Sequence, residues 1–199
     1  IAIDGGSNDG TIKYLKSKNI KVYKQKIGGI NNAYIQANKK SKNKYIVVFF
    51  PKNTINPKML TKFEDLFNKN YDLVIASRML KQSANEEDKN FFKYRKWSSL
   101  FLSKIISVIW RKNGNEIKDI LHGVKGWKKN SFKRMRILNH GLTIDLEMVL
   151  QSYKLNLKRV EFPIKEKPLI YRKTYFPFWS TGIKIVNFLL FEILGINNF

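Results

Sequence analysis

The residues best placed to do chemistry come first in the chain: Asp4-Gly5-Gly6-Ser7-Asn8-Asp9-Gly10-Thr11, directly after the apolar Ile1-Ala2-Ile3. A carboxylate at the carboxyl end of a strand, followed by glycines and a helix, lies where open α/β sheets bind ligands. Glycines admit a ligand close to the backbone, and the helix amino terminus favours anionic groups such as phosphate. The dinucleotide pattern G-x-G-x-x-G is not matched, and on spacing alone a cap by Asp9 or Thr11 after a tight turn is an equal reading. Arg78 closes an apolar run, an expensive place for a charge unless it is paired or lies at a ligand-binding edge. Arg172 and Lys173 sit in an aromatic-rich stretch, residues 171–179, suited either to closing over phosphates or to an ordinary solvated loop. The two histidines, His122 and His140, are far apart and have no third, so the reading is of structural histidines rather than a metal site.

The elements that must position these groups alternate between strand and helix. A short strand at residues 1–3 precedes a helix at 11–18; a second strand, 21–23, precedes a helix at 30–38 with Ile30, Ala33, Tyr34 and Ala37 on one face. Residues 45–50 form a continuous apolar run of strand length stopped by Pro51, expected to be buried on both faces as in a parallel sheet. Pro57 suits a first helical position, and Met59, Leu60, Phe63, Leu66 and Phe67 form an apolar stripe. Residues 72–76 read as a buried strand and 81–90 as a polar loop. Residues 97–110 read as an apolar helix, followed by short segments at 117–120 and 124–127. An amphipathic helix at 143–153 leads to a strand at 157–162, and a nearly apolar helix at 183–194 ends the pattern. Strand–helix alternation predicts an α/β layered domain.

Composition narrows the class. The chain has 199 residues with 43% apolar and 14% aromatic, enough for a sizeable core. The absence of cysteine excludes disulfides and thiolate metal sites. No uncharged apolar run has the length of a membrane span. Lys and Arg exceed Asp and Glu to give a formal charge of +23, a field that attracts nucleic acid, anionic membranes or phosphorylated substrates. Heavy use of lysine, asparagine and isoleucine together offers compositional drift as a competing explanation. Because the chain opens on Ile1 with a strand already under way, a truncation at the amino end is expected.

Several of these segments, in order, resemble family-two glycosyltransferases. Asp4 to Thr11 resembles that family's D-D-G-S-x-D-G-T signature, and Gly28-Gly29-Ile30-Asn31-Asn32-Ala33 its glycine-then-alanine helix. Residues 45–57 resemble the strand and loop that normally carry a metal-binding D-x-D. Asp72-Leu73-Val74-Ile75-Ala76-Ser77-Arg78 resembles the corresponding strand of the polyprenyl-phosphate sugar transferase branch, the dolichol-phosphate mannosyltransferase-like group. Ile144-Asp145-Leu146-Glu147 resembles the acidic helix after the acceptor loop, and Val160-Glu161-Phe162-Pro163-Ile164 a later strand, with Arg172 in the basic loop beyond.

The resemblance implies a GT-A fold, a mostly parallel central sheet flanked by helices, that binds a nucleotide-diphosphate sugar and inverts its anomeric centre. The family's first strand has no counterpart here, in keeping with the expected truncation by about one strand and one helix. It implies a glycosyltransferase domain over residues 1–180 and an apolar helical segment over 181–199. Asp4 is expected to contact the nucleotide, alone because Gly5 replaces the second signature aspartate, with Gly6, Ser7 and Asp9 beside it. The D-x-D positions fall on Pro51 and Asn53, so bound Mg or Mn lacks its usual carboxylates. Lys52 is then the expected cation facing the diphosphate leaving group, with Asn53 a neighbouring binding residue; a solvated lysine in an inactive domain is the alternative. Asp145 matches the catalytic base, required only for a hydroxyl acceptor and not for a lipid phosphate. Glu147, about 200° further round the helix, is a supporting group, and Asp119 is a further pocket residue.

The expected partners are a nucleotide-diphosphate sugar and a glycan or polyprenyl-phosphate acceptor from a bacterial-type cell envelope. Aromatics beside cations in residues 97–110 and 176–199 add an anionic membrane surface, as suits interfacial helices on the cytoplasmic face of the cell membrane. Two rivals stand beside this reading. One is a non-catalytic domain of the same fold kept for interaction. The other is a nucleic-acid binder, for which no recognition motif is present and the basic residues gather on no single helix.

Overall fold

The computed structural model describes residues 1–85, 88, 91–138, 143–167 and 178–195. Among these residues, six strands and seven α-helices are set in an α/β arrangement: β1 (Ala2–Asp4), α1 (Thr11–Ser17), β2 (Val22–Lys24), α2 (Ile30–Lys40), β3 (Tyr45–Val47), a 3-10 turn at Pro57–Leu60, α3 (Thr61–Asn68), β4 (Leu73–Ser77), α4 (Tyr94–Trp110), β5 (Lys125–Lys128), α5 (Lys129–Arg134), α6 (Ile144–Lys154), β6 (Arg159–Pro163) and α7 (Phe178–Leu194).

β1 and β2 pair in parallel as a two-stranded sheet, and the other strands form a sheet in the order β3-β5-β4-β6. β5 runs antiparallel to both β3 and β4, whereas β6 is parallel to β4. Three of the four strands therefore share one direction and β5 alone opposes them. β4 is buried throughout, as expected of a central strand covered on both faces. The run at 45–50 behaves differently from a straight buried strand. Regular pairing covers only Tyr45–Val47, Val48 still donates to the Lys125 carbonyl at 2.8 Å, and the chain then turns away. The run is not buried on both faces as expected: β3 is the edge strand, and only Ile46 of residues 45–50 is buried. Beyond the strand the Phe50 ring packs on Gly123, where a Cβ would stand 2.7 Å from it.

Aromatic packing locks β5 between the layers. Trp127 stacks between Tyr34 of α2 and Phe132 of α5, at centroid distances of 5.4 and 5.0 Å, and its indole N–H donates to Asn38 at 3.1 Å. On the other face, Gly126 lies under Phe63 and Phe67 of α3, where a Cβ would come within 2.7 and 2.8 Å of the rings. α6 is the inner helix, with Ile144, Leu146, Met148, Val149 and Leu150 buried. α4 packs on it through a face that includes Ser99, Ser103 and Ser107, small enough to let the helices approach. Ile185, Phe188 and Leu189 of α7 enter the same core. The C-terminal ends of α4, α6 and α7 meet at Lys154, whose ammonium pairs with Glu192 and lies 5.7 Å from the centroid of the Trp110 ring.

Candidate active site

The segment Asp119-Ile120-Leu121-His122-Gly123-Val124-Lys125 is the hub of the site, because each of its polar members holds a different element. Asp119 is fully buried and grips the Arg78 guanidinium through both oxygens, at 2.9 and 3.0 Å, while also accepting from the Arg78 amide at 2.8 Å. Arg78 reaches a second carboxylate, Glu166, at 3.2 Å. Burial pushes the Asp119 carboxyl up, but the guanidinium outweighs it and holds the group down at about 2. Behind them the Glu161 carboxylate accepts the amides of Lys118 and Asp119 at 2.9 and 2.7 Å, and burial raises its pKa. His122 bonds the Ala76 carbonyl through Nδ1. A carbonyl only accepts, so the proton sits on Nδ1. Burial, helped by nearby Arg78, presses the His122 pKa down to about 3, and the ring is neutral.

Gly123 offers its carbonyl to the Tyr34 hydroxyl at 2.8 Å. Lys125 then supplies the least expected contact. Its side chain is wholly buried, and Nζ donates to the Ile120 carbonyl at 3.2 Å, the Asp145 carbonyl at 2.8 Å and Asp145 Oδ1 at 3.1 Å. Burial lowers the Lys125 pKa, and the Asp145 carboxylate opposes that. Asp145 itself stays partly open, with 17% of its side chain exposed. It stands in the first turn of α6, where the unpaired backbone N–H groups favour negative charge. A buried cation thus fixes one oxygen of a carboxylate whose side chain still reaches the surface.

Glu147, two residues on and about 200° round the helix, is consumed differently. Its carboxylate takes the Asn31 amide at 2.9 Å, the Leu138 N–H at 2.9 Å and the Thr143 hydroxyl. Burial raises its pKa. Asn31 also accepts from the Ile144 amide at 3.1 Å, so α2 and the start of α6 are bolted together. The link runs on to the glycine-rich loop. Gln25 donates to the carbonyls of Ile27 and Gly29 at 2.7 and 2.6 Å, and its Oε1 would lie 3.4 Å from a Cβ at Gly5. Gly29 opens α2 at φ 94°, a conformation that calls for glycine.

In that loop Asp4 is buried and folds the chain around itself. Oδ1 accepts the Gly6 and Ser7 amides at 2.9 and 2.8 Å, and Oδ2 accepts the Ser7 hydroxyl at 2.6 Å. The Ser7 hydroxyl, then the two amides, hold its pKa below the usual range. Asp9 is exposed and accepts the Thr11 hydroxyl and amide at 2.6 and 3.1 Å, a local turn one residue before the helix cap, which is Gly10 and makes no side-chain cap bond. Lys52 and Asn53 are exposed on the loop after β3. Lys52 Nζ stands 5.4 Å from the centroid of the Phe50 ring, and Asn53 has φ 57°. Arg172 and His140 lie outside the described residues.

The structure therefore gathers Asp119, Arg78, Lys125 and Asp145 round one segment and joins the Asp4 loop to it through Gln25 and Asn31. The sequence reading did not single out Lys125, Gln25 or Glu166, and placed Tyr34 and Asn31 on α2 without a role at the site. Lys125 left one legible signal, a lysine between Val124 and Trp127 in a short segment of strand character. A hard divalent cation does not fit the residues after β3, because Pro51, Lys52 and Asn53 offer no carboxylate. Among the described residues no group of three or more His, Cys, Asp or Glu could hold a metal.

With this geometry in place, comparison with known proteins decides the family. Residues 1–137 match the family described as glycosyl transferase family 2. The chain belongs to that family. Glycosyltransferase AglJ of Haloferax volcanii is 24% identical to the chain over 169 residues, covering 84% of this chain and 54% of that protein. Among solved structures, glucosyl-3-phosphoglycerate synthase of Mycobacterium tuberculosis in complex with phosphoglyceric acid aligns with a TM-score of 0.64 at 12% identity, over 94% of this chain and 66% of that one. The same synthase with Mg2+ and uridine-diphosphate gives a TM-score of 0.64 at 13% identity, over 96% and 66%. The family-2 chain thus has the GT-A glycosyltransferase fold, and it spans about half the length of AglJ.

Proposed function

We propose that the chain transfers a sugar from a nucleotide-diphosphate donor to an envelope glycan or polyprenyl-phosphate-type acceptor, with inversion at the anomeric carbon. The observation that carries this is the Asp145 carboxylate, anchored by buried Lys125 at the start of α6 and still partly open. In a single displacement the acceptor hydroxyl attacks the anomeric carbon from the face opposite the diphosphate. Its proton passes to Asp145, and the electron pair of the breaking C–O bond leaves with the diphosphate. The folded Asp4 loop, with Gly6, Ser7 and Asp9, cradles the nucleotide, and Arg78, Asp119, Glu147 and Asn53 shape the pocket around it. Arg172 lies in the basic loop expected to face the phosphates.

Departure of the diphosphate concentrates negative charge, and a cation placed there lowers the barrier. Lys52 supplies that charge in this reading, in place of a metal held by D-x-D carboxylates. The same loop favours a second reading, a non-catalytic GT-A domain retained for interaction, because its residues at 51–53 carry no acid. The working place in the transferase reading is the cytoplasmic face of a membrane.

Asp145→Asn tests the assignment on hydroxyl acceptors. General-base catalysis contributes about 10²–10⁴-fold, so transfer to a hydroxyl should fall by at least about 100-fold with donor binding kept. Unchanged transfer to a hydroxyl acceptor would refute Asp145 as the base.

A further inference from the structure

The start of α6 carries Asp145, yet α6 does not cap itself. Its N-cap residue, Thr143, makes no side-chain cap bond, and its hydroxyl donates to the Glu147 carboxylate instead. The first amides of a helix have no partner within it, and a buried one left open is costly. The cap comes from another element. Asn31, in the first turn of α2 and fully buried, accepts the Ile144 amide through Oδ1 at 3.1 Å. Through Nδ2 the same side chain donates to Glu147 Oε1 at 2.9 Å and to the Leu138 carbonyl at 3.2 Å. The partners fix which way the carboxamide faces, because the Ile144 amide only donates and the Leu138 carbonyl only accepts. Asparagine suits the place, since one short planar group carries both an acceptor and two donors.

On its other side Asn31 adjoins the glycine-rich loop. Gly29, two residues earlier, offers its carbonyl to Gln25 Nε2 at 2.6 Å, and the Gln25 amide donates to the Asp4 carbonyl at 2.7 Å. Asn31 therefore stands between the Asp4 loop and the helix that carries Asp145. Two contacts from different layers fix that carboxylate. Lys125 of β5 holds Asp145 Oδ1, whereas Asn31 of α2 holds the amide of the residue before it. The three Asn31 bonds all reach toward α6, so removing them frees α6 while Gln25 keeps its own hold on the donor side.

We propose that Asn31 is a positioning residue for the transfer: by capping α6 from α2 it sets Asp145 at a fixed place relative to the glycine-rich loop. The inference rests on the reading of Asp145 as the base and of the Asp4 loop as the donor cradle. Single displacement needs acceptor, base and anomeric carbon in near-attack geometry, and a shift of about 1 Å costs on the order of 100-fold. The test uses the donor and hydroxyl acceptor on which Asp145→Asn is assayed. The variants are Asn31→Ala, Asn31→Asp, and Asn31→Asp combined with Glu147→Gln. The combined variant exchanges donor and acceptor across the 2.9 Å contact and keeps an oxygen toward the Ile144 amide. Circular dichroism melting checks that each variant is folded at the assay temperature.

The expected result is a kcat lower by at least about tenfold in Asn31→Ala and Asn31→Asp, with donor KM within about twofold of the parent. The combined variant should return to within about threefold of the parent kcat. A role in folding alone lowers the melting temperature without that split between kcat and KM. If Asn31→Ala is unfolded, the comparison of Asn31→Asp with the combined variant decides. The assignment is overturned, with the transfer reading intact, if Asp145→Asn loses transfer but folded Asn31→Ala keeps the parent kcat. A loss carried wholly by donor KM, or a combined variant no better than Asn31→Asp, overturns it in the same way. If Asp145→Asn transfers like the parent, or the chain transfers to no acceptor, the reading beneath fails and the assignment falls with it.

Discussion

Asp119 and His122 sit three residues apart, and the fold treats their protons in opposite ways. Asp119 is kept charged at about 2 by Arg78, whereas His122 is kept neutral, its pKa pressed from 6.5 to about 3. Both pKa values are depressed, so in each case the unfolded chain binds a proton that the folded chain refuses, and stability falls as pH falls. For His122 the loss begins near its unfolded value of 6.5 and runs down toward 3; for Asp119 it begins near 3.8 and runs toward 2. Urea melts between neutral pH and roughly pH 4.5 cover the histidine's window with Asp119 ionised in both states over most of it. Glu147 and Glu161, whose pKa values burial raises, act there with the opposite sign, so His122 is read from the difference between parent and variant. His122→Asn, which keeps a donor toward the Ala76 carbonyl, should flatten the decline of the midpoint with acidification. An equally steep decline in the variant would place the titrating group elsewhere. At this scale the sequence named Asp4, Arg78, Asp119 and Asp145 but not that Asp119 grips Arg78, nor the further partners Lys125 and Glu166. Lys125 and Glu166 become visible only when β5 and the segment after β6 are brought beside them, because their meaning lies in long-range contacts.

Elements explain why the hub segment holds its shape. β5 enters against the direction of its neighbours and is pinned by rings on both faces, with Trp127 stacked on one side and Gly126 under Phe63 and Phe67 on the other. Gly126→Ala pushes a methyl into those rings, so it should destabilise the fold by about 1–3 kcal/mol. Chemical denaturation checks this, and an unchanged midpoint would mean that α3 moves aside without cost. Periodicity made most helices and β4 legible, since burial on one face or both leaves a period in the sequence. It misjudged residues 45–50, because an apolar run does not tell a strand covered on both faces from a short edge strand, and β3 lies at the sheet edge with only Ile46 of that run buried. The direction of β5 was equally hidden, as four residues with a glycine at the centre carry no signal for orientation.

For the whole molecule, family and fold were the most legible level, because ordered motifs spread along the chain specify them together. The chemistry of the loop after β3 is where this chain departs from its family's usual pattern, and the account turns on it. The decisive measurement is sugar release or transfer by the purified chain across a panel of nucleotide-diphosphate sugars, with a glycan or polyprenyl-phosphate acceptor, in EDTA and again with added Mn2+ or Mg2+. Removing a cation from beside a departing diphosphate costs roughly 10²–10³-fold by analogy with other charge-stabilising donors. The expected result is turnover that survives EDTA and falls by about that factor in Lys52→Ala. Turnover that appears only with a divalent metal, or none with any donor and acceptor of the panel, would contradict the account.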